Sequence, residues 1–244
     1  MTKYDQIAEK YDELLAEDDI ATKNREQFQN LVLSYVPLNH VLVDFGAGTG
    51  IDAVFYAKSG YDVILYEPSQ GMRRVAEYKI RKSGLSPKIN IIENTFEDLL
   101  ETIAKQQRKV SIVSNFGAIN HMPIRNNQIG QLATAVSTEG YFIHYILKPF
   151  YIGFMKKPSF KRGILKILLG GIISIRDGNT DLMLFRVKYM KDLLAKNFEL
   201  LRTKKSFSQQ YSGPFNLFIS SVLAPVSRRS IFVIFKKRDD YGNN

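Results

Sequence analysis

An acidic residue followed by three alternating glycines is the pattern in this sequence with the clearest chemical meaning. Asp44 lies in the apolar run 41–45, and Gly46, Gly48 and Gly50 follow it before a helix-forming stretch. Glycine allows positive φ angles and lets a ligand approach the bare backbone. The N-terminus of a helix presents unpaired N–H groups to an anionic or polar ligand. The pattern therefore predicts a strand, a tight turn and a helix that together hold a ligand.

A second acid, Glu67, ends the next apolar run, 61–66. It follows the glycines by about 20 residues, where an acid at the end of a second strand can bind ribose hydroxyls. A carboxylate suits that task because it offers several lone pairs to two donors. Two other cofactor loops are excluded by spacing. The dinucleotide fingerprint needs glycine at position 51, which is Ile51, and the Gly-Lys-Ser/Thr of a P-loop is missing.

The alternating glycines behind an acid, with Glu67 downstream, resemble the class I S-adenosylmethionine (SAM) dependent methyltransferases over about residues 35–147. The segment 114–121, SNFGAINH, resembles the one after strand four in bacterial small-molecule and ubiquinone-type members. This resemblance implies an α/β fold with a Rossmann-like, doubly wound sheet that is mostly parallel and has an antiparallel C-terminal strand. It also implies SAM as the cofactor and S-adenosylhomocysteine (SAH) as its product.

The resemblance assigns roles to residues that follow the first four strands. Asp44 would order the loop near the methionine part of the cofactor, and Glu67 would accept hydrogen bonds from the ribose. Met72 would pack on the adenine, Glu97 would accept from its amino group, and a tyrosine of the first helix, Tyr4 or Tyr11, would close over the cofactor. The complete predicted cofactor set is Tyr11, Asp44, Gly46, Ala47, Gly48, Gly50, Glu67, Pro68, Met72, Thr95, Phe96, Glu97, Asn115 and Phe116.

His121 is the predicted catalytic base. Methyl transfer is an in-line displacement, so positioning supplies much of the rate, and a base helps when the acceptor carries a proton. Histidine suits this role because its ordinary pKa is near neutral; the alternative is a packing residue at a helix start. Of the other two histidines, His40 precedes the first strand and His144 is predicted to be buried in the fifth. No metal site is predicted, and the absence of cysteine excludes disulfides and thiolate chemistry.

Strands alternate with helices as far as residue 147, which predicts a parallel sheet covered on both faces. The predicted strands are 40–45, 62–66, 88–93, 109–114 and 140–147, and the predicted helices are 2–17, 22–36, 51–59, 70–82, 96–106 and 126–137. A helix at about 159–174, a strand at 181–188, a helix at 189–196 and strands at 198–206 and 229–237 follow. We expect a helical cap (1–36), a SAM-binding core (37–147), an insertion after strand five (148–180) and a C-terminal completion of the sheet (181–244).

The charge is unevenly distributed. Of a net +10, residues 146–244 carry 19 Lys/Arg against 6 Asp/Glu. Such a basic half suits an anionic membrane, nucleic acid or acidic substrate, although a solvated basic surface is an equal alternative. The longest apolar run, 164–175, contains Lys166 and is too short to cross a bilayer. We therefore expect a cytoplasmic protein, at most peripheral at the inner membrane surface.

Four functions remain open. The first is methylation of an oxygen or nitrogen atom in a small aromatic or amphipathic metabolite, with an acceptor wall that contains Phe150, Tyr151, Phe154, Phe160, Tyr211, Phe215 and Phe218. The second is lipid or quinone methylation at a membrane, because Lys156, Lys157, Lys161, Arg162 and Lys166 flank an apolar helix. The third, RNA or protein methylation, ranks lower because no RNA-binding motif is visible and nucleic acid is therefore not an expected partner. The fourth is a non-catalytic SAM-binding subunit.

Overall fold

A computed structural model of the chain describes residues 3–93, 95–121, 127–149, 158–177, 180–207 and 230–239. Its strands are β1 (Val41–Phe45), β2 (Asp62–Tyr66), β3 (Ile89–Ile92), β4 (Val110–Ser114), β5 (Tyr141–Leu147), β6 (Ile173–Asp177), β7 (Thr180–Leu184), β8 (Phe198–Lys205) and β9 (Ser230–Lys237). Its helices are α1 (Lys3–Ile7), α2 (Tyr11–Ala16), α3 (Asp19–Tyr35), α4 (Ile51–Lys58), α5 (Gln70–Lys82), α6 (Phe96–Ala104), α7 (Gln128–Ala135), α8 (Pro158–Leu168) and α9 (Val187–Leu194). Single 3-10 turns cover Ala8–Lys10 and Ala118–His121.

Seven strands form one sheet in the order β3-β2-β1-β4-β5-β9-β8. Strands β1 to β5 pair in parallel, and β9 pairs antiparallel to both β5 and β8. The predicted sheet, mostly parallel with an antiparallel C-terminal strand, is confirmed. In this order the chain reverses direction across the sheet between β1 and β4. The carboxyl ends of these two strands border a crevice where open α/β sheets bind their ligands.

Helices cover both faces of the sheet. Successive strand residues point to opposite faces, so Leu42 joins a core cluster with α3, α4 and α8, whereas Val43 joins a second cluster with α6, α7 and α9. Every residue of β1 and β4 is buried, including the acid Asp44. Burial on both faces explains why these strands are mostly apolar and do not alternate regularly between apolar and polar residues.

The predicted helix 159–174 is wrong in its second half. Helix α8 ends at Leu168, where Gly170 adopts φ +86° and donates its N–H to the carbonyl of Ile167. Left-handed glycine is a common helix end because it satisfies the last carbonyls without a Cβ clash. The chain then forms the hairpin β6–β7, which pairs Ile173 with Leu184. The predicted strand 181–188 corresponds to β7, which begins one residue earlier and ends at Leu184.

The predicted helix 2–17 is divided into three pieces. Helix α1 is followed by the 3-10 turn Ala8–Lys10 and then by α2. Asp5 of α1 and Asp12 of α2 contact different residues, as described below, and the turn between the two helices lets both contacts form. The sequence pattern of this segment is helical throughout, so only tertiary contacts account for the break.

Candidate functional site

A cavity of about 420 Å³ lies at the carboxyl ends of β1, β2 and β4. This is the edge of the sheet at which the sequence predicted a ligand. Its lining combines six aromatic rings with a small polar set: Tyr4, Tyr11, Phe45, Gly46, Gly48, Tyr66, Glu67, Pro68, Met72, Phe96, Asn115, Phe116, Ala118, His121 and Gln128.

The glycine loop provides a bare backbone wall for this cavity. Gly46 has φ +71°, and a Cβ there would lie 2.3 Å from the Cβ of Ala118. Gly48 has φ +58°, and a Cβ there would meet only Tyr11, at 3.9 Å. Both angles are strained for residues other than glycine. A side chain at position 48 would therefore project into the cavity, and glycine keeps that space open for a ligand.

Glu67 holds the loop and remains able to bind a ligand. Its Oε2 accepts the N–H of Gly48 at 2.8 Å, and its Oε1 accepts the N–H of Ser69 at 2.8 Å. Burial raises the pKa of Glu67, while these two backbone hydrogen bonds oppose the rise. Each carboxylate oxygen has two lone pairs, so each retains capacity for one further donor.

Asp44 lies directly behind the cavity and does not line it. The side chain is buried and accepts the N–H of Ala53, yet its Oδ2 has no hydrogen-bond partner among the described residues. Burial, followed by the neighbouring charge of Asp52, raises the pKa of Asp44 well above its usual range. A buried oxygen of this kind ordinarily has a partner such as an ordered water.

A buried ionic network supports the cavity floor. Asp52 accepts from Asn115 Nδ2 at 3.0 Å and from Gln29 Nε2 at 2.7 Å, and pairs with Arg25 at 2.8 Å. The guanidinium carbon of Arg25 lies 4.7 Å from the ring centroid of Phe116, a cation–π contact. Asn115 Oδ1 accepts the N–H of Phe116, which has φ +48°. The floor residues Asn115 and Phe116 are thus held from below by a carboxylate that sequence analysis did not select.

Tyr4 and His121 both line the cavity and contact each other. Tyr4 Oη lies 3.4 Å from His121 Nε2, and the two rings are edge to face with centroids 5.9 Å apart. Tyr4 belongs to α1, whereas His121 ends the 3-10 turn after β4. The N-terminal segment therefore covers the site beside the predicted base.

Two carboxylates fasten this N-terminal segment to α5. Asp5 Oδ1 accepts from Ser69 Oγ at 2.6 Å and from the Gly71 N–H at 2.9 Å. Asp12 forms an ion pair with Lys79 at 2.6 Å. A Cβ at Gly71 would lie 2.9 Å from the Asp5 Cα, so glycine permits this close approach. The segment 3–16 is held as a cover by specific polar contacts.

Nine of the fourteen predicted cofactor residues line the cavity, as does His121. Thr95 and Glu97 do not. The hydroxyl of Thr95 accepts the Asp98 N–H at 3.2 Å, and the Asp98 carboxylate accepts the Thr95 N–H at 2.8 Å, which makes Thr95 the N-cap of α6. Glu97 is exposed. The residues outside the lining are Asp44, Ala47, Gly50, Thr95 and Glu97; a cofactor role for them stays a prediction.

Sequence reasoning missed several lining residues. Phe45 and Tyr66 end β1 and β2, and their rings stack with centroids 5.3 Å apart, while Phe96 meets Phe45 edge to face. Phe45 directly precedes Gly46, and Tyr66 directly precedes Glu67, two residues that the sequence analysis selected. The signal was available, because large side chains at the carboxyl ends of the first two strands must border the same crevice. Ala118 and Gln128 also line the cavity unselected.

The other two histidines lie away from the cavity. His40 Nδ1 is 2.9 Å from Ser111 Oγ, and burial lowers its pKa. His144 is fully buried, as predicted, and burial lowers its pKa to about 3. His121 is therefore the histidine that can contact a bound molecule.

Most of the predicted acceptor wall falls on residues that the structure does not describe. Phe160, which belongs to α8, is the exception. It is 1% exposed and packs in the core cluster that α8 shares with α3 and α4. The predicted residues outside the described ranges are Phe150, Tyr151, Phe154, Lys156, Lys157, Tyr211, Phe215 and Phe218. Within those ranges, no group of three metal-ligating side chains is close enough to hold an ion. No helix in the described ranges has the length and apolarity needed to span a membrane.

A family model described as a methyltransferase domain matches residues 6–169. The chain belongs to this methyltransferase family. Together with the class I sheet order, this membership makes it a SAM-dependent methyltransferase, with SAH as the product. No curated protein matches the methyltransferase.

Solved structures share its fold at low sequence identity. A SAM-dependent methyltransferase from Clostridium acetobutylicum ATCC 824 aligns at TM-score 0.59 and 17% identity, covering 98% of this chain and all of that one. The magnesium protoporphyrin IX methyltransferase of Synechocystis PCC 6803, with bound SAH, aligns at 0.56 and 16%, covering 91% and 85%. The 1,6-didemethyltoxoflavin-N1-methyltransferase of Burkholderia thailandensis aligns at 0.57 and 12%, covering 96% and 86%.

Proposed function

We propose that this methyltransferase binds SAM in the cavity of about 420 Å³ and methylates an oxygen or nitrogen atom of a small, uncharged, aromatic or amphipathic molecule. One observation carries the proposal. Among the lining side chains that the structure describes, Glu67 is the only acid, no Lys or Arg is present, and six side chains are Tyr or Phe. That lining suits one polar, ribose-bearing ligand beside one apolar ligand.

The residues present fit the cofactor. Glu67 retains lone pairs for two ribose hydroxyls, and the open face of Gly48 leaves room beside the backbone. The Oδ2 of Asp44 is a buried acceptor that needs a partner from outside the described residues. Met72 and Phe96 supply apolar surface for an adenine ring. When bound, SAM supplies an electrophilic methyl group on a sulfonium.

The protein contributes mainly by positioning. Asn115 and Phe116 form a floor that Asp52 and Arg25 hold in one conformation. A rigid floor keeps the acceptor in line with the methyl group, which is where most of the rate enhancement of such a displacement arises. His121 Nε2, beside Tyr4, is placed to accept a proton from an acceptor hydroxyl or amine. An acceptor atom that carries no proton would need no base, and the rigid floor alone would place it in line with the methyl group.

The absence of cations from the described lining supports an uncharged acceptor. A phosphate or carboxylate on the acceptor, in addition to the carboxylate that SAM itself carries, would face Glu67 with no Lys or Arg in the described lining to compensate it, which is costly. The aromatic rings offer edge and face contacts to a planar molecule. The Burkholderia thailandensis neighbour is an N1-methyltransferase whose structure holds the small molecule 1,6-didemethyltoxoflavin. Membership in the bacterial small-molecule and ubiquinone-type branch belongs to the same proposal.

Isothermal titration with SAM and SAH tests the cofactor site first. We expect both to bind with micromolar affinity, and absence of binding by either would contradict the assignment. Release of SAH is then measured with neutral phenols, amines and hydroquinones, each beside a carboxylated analogue. We expect turnover with neutral members and little with the anionic ones. The reverse preference would contradict the acceptor class, and SAM binding without any turnover would favour a non-catalytic subunit.

A further inference from the structure

Helix α8 exposes a row of leucines on the surface. Leu165, Leu168 and Leu169 are 65%, 54% and 81% exposed, whereas Phe160 and Ile167 on the other side of the helix are buried. Residues three and four apart lie on one face of a helix, so the leucines form one continuous strip. Single exposed leucines are ordinary, but a contiguous apolar strip marks an interaction site.

Positive charge surrounds this strip. Lys161, Arg162 and Lys166 are exposed on the same helix, and none forms an ion pair with a described residue. Between residues 140 and 176 the sequence contains seven Lys/Arg and no Asp/Glu. We call the three leucines and the three cations the α8 patch. Its composition, apolar in the middle and cationic around it, differs from that of an ordinary solvated helix face.

Helix α8, which carries the patch, packs on the hairpin β6–β7, and this hairpin contacts the turn that ends in His121. Gly163 packs so closely on Ile173 of β6 that a Cβ there would lie 2.5 Å from its side chain. Strand β7, paired with β6, is joined to the turn that bears His121, because Asn120 donates to the Met183 carbonyl at 2.8 Å. The α8 patch is therefore connected to the turn that bears His121 through β6 and β7.

We propose that the α8 patch docks the protein on an anionic membrane surface. In such a contact, the leucines enter the boundary between headgroups and acyl chains, and the Lys and Arg side chains meet lipid phosphates. Charge complementarity selects this partner. A second copy of the chain would place Lys161, Arg162 and Lys166 against their own equivalents, because a two-fold interface brings identical patches together. A nucleic acid would pair with the cations but leave the leucines in water.

Vesicle co-sedimentation of the full chain tests this surface, independently of the cofactor site. The vesicles contain phosphatidylcholine alone or mixed with phosphatidylglycerol, at low and high salt. One variant carries Leu165→Ser, Leu168→Ser and Leu169→Ser, and another carries Lys161→Gln, Arg162→Gln and Lys166→Gln. The charge control is Lys105→Gln, Lys191→Gln and Lys196→Gln, three exposed lysines on elements that pack on the opposite face of the sheet. Leu38→Ser, at a residue 58% exposed, is the apolar control for the leucine variant.

We expect the protein to pellet with the mixed vesicles, to bind pure phosphatidylcholine weakly and to dissociate as salt rises. Each triple variant of the α8 patch should lose roughly tenfold or more in vesicle affinity, while both controls retain it. Absence of binding, equal binding to both vesicles, or full binding by the leucine variant would overturn the proposal. A leucine variant that alters only the oligomeric mass would assign the patch to a subunit interface instead. SAM titration of every variant verifies folding and reports separately on the proposed function.

Discussion

Tyr4 Oη and His121 Nε2 lie 3.4 Å apart although 117 residues separate them in the sequence. One belongs to the cover of the cavity and the other to its wall. The contact places a phenol of the cover beside the imidazole that we propose as the base. This arrangement leads to the first prediction.

His121→Ala should lower turnover while leaving SAM affinity intact. Loss of a general base costs roughly a hundredfold or more in rate when the acceptor carries a proton. The measurement is SAH release with the identified acceptor, beside titration of SAM. Tyr4→Phe keeps the ring and removes the hydroxyl, so we expect a smaller loss. An unaltered rate for His121→Ala would remove this residue from catalysis.

Glu67→Ala should weaken SAM binding by roughly 1–3 kcal/mol, because the ribose hydroxyls would lose a buried acceptor. Titration of SAM into the variant measures the change. Glu97→Ala is the matched control. Glu97 is exposed and outside the cavity lining, so we expect a much smaller effect. Unchanged affinity in Glu67→Ala would disprove the ribose assignment, and an equal loss in both would restore Glu97 to the site.

Asp52→Ala should destabilise the fold by about 3 kcal/mol or more, because it leaves the largely buried Arg25 without its partner. Asp62→Ala is the control, since the Asp62 side chain is 40% exposed and pairs with Lys88 and Arg108 at the surface. Such pairs contribute about 1 kcal/mol at most. Urea unfolding measures both. In a double-mutant cycle, Arg25→Met should recover part of the loss in Asp52→Ala; strictly additive effects would contradict the network.

His144→Leu should remove part of the acid sensitivity of the fold. The folded pKa is about 3, below the ordinary value near 6.5, so only the unfolded chain is protonated between these values. Unfolding then takes up a proton, and stability falls as the pH decreases through that window, by about 2 kcal/mol from pH 7 to pH 5. Urea unfolding at these two pH values should show the difference in wild type and a smaller one in the variant. An equal pH dependence of the free energy of unfolding in both proteins would contradict this role of His144.

The cavity residues whose positions depend on local geometry were predictable from the sequence. Gly46, Gly48 and Glu67 depend on strand ends and turns, which apolar runs and glycine spacing indicate directly. Asp52 was missed because its partners Gln29 and Asn115 come from segments distant in sequence. Asp52 lies in the first turn of α4, where an acid is favoured by the helix dipole. That preference explains the residue locally, so nothing in the sequence pointed to a further role.

Strand β6 was missed for a different reason. The stretch 164–175 is mostly apolar, and periodicity cannot distinguish a helix from a buried strand in such a run. Gly170 and Gly171 were the available signal, since adjacent glycines interrupt a helix. In the structure Gly170 does end α8, and the apolar residues beyond it form β6.

The cover over the cavity also imposes an order of events during synthesis. Asp5 and Asp12 are synthesised before their partners Ser69, Gly71 and Lys79, which follow more than sixty residues later in the chain. The segment 3–16 has no surface to dock on until β1, β2 and α5 have assembled. The segment 3–16 therefore becomes ordered only after later parts of the chain, and until then the cavity has no cover.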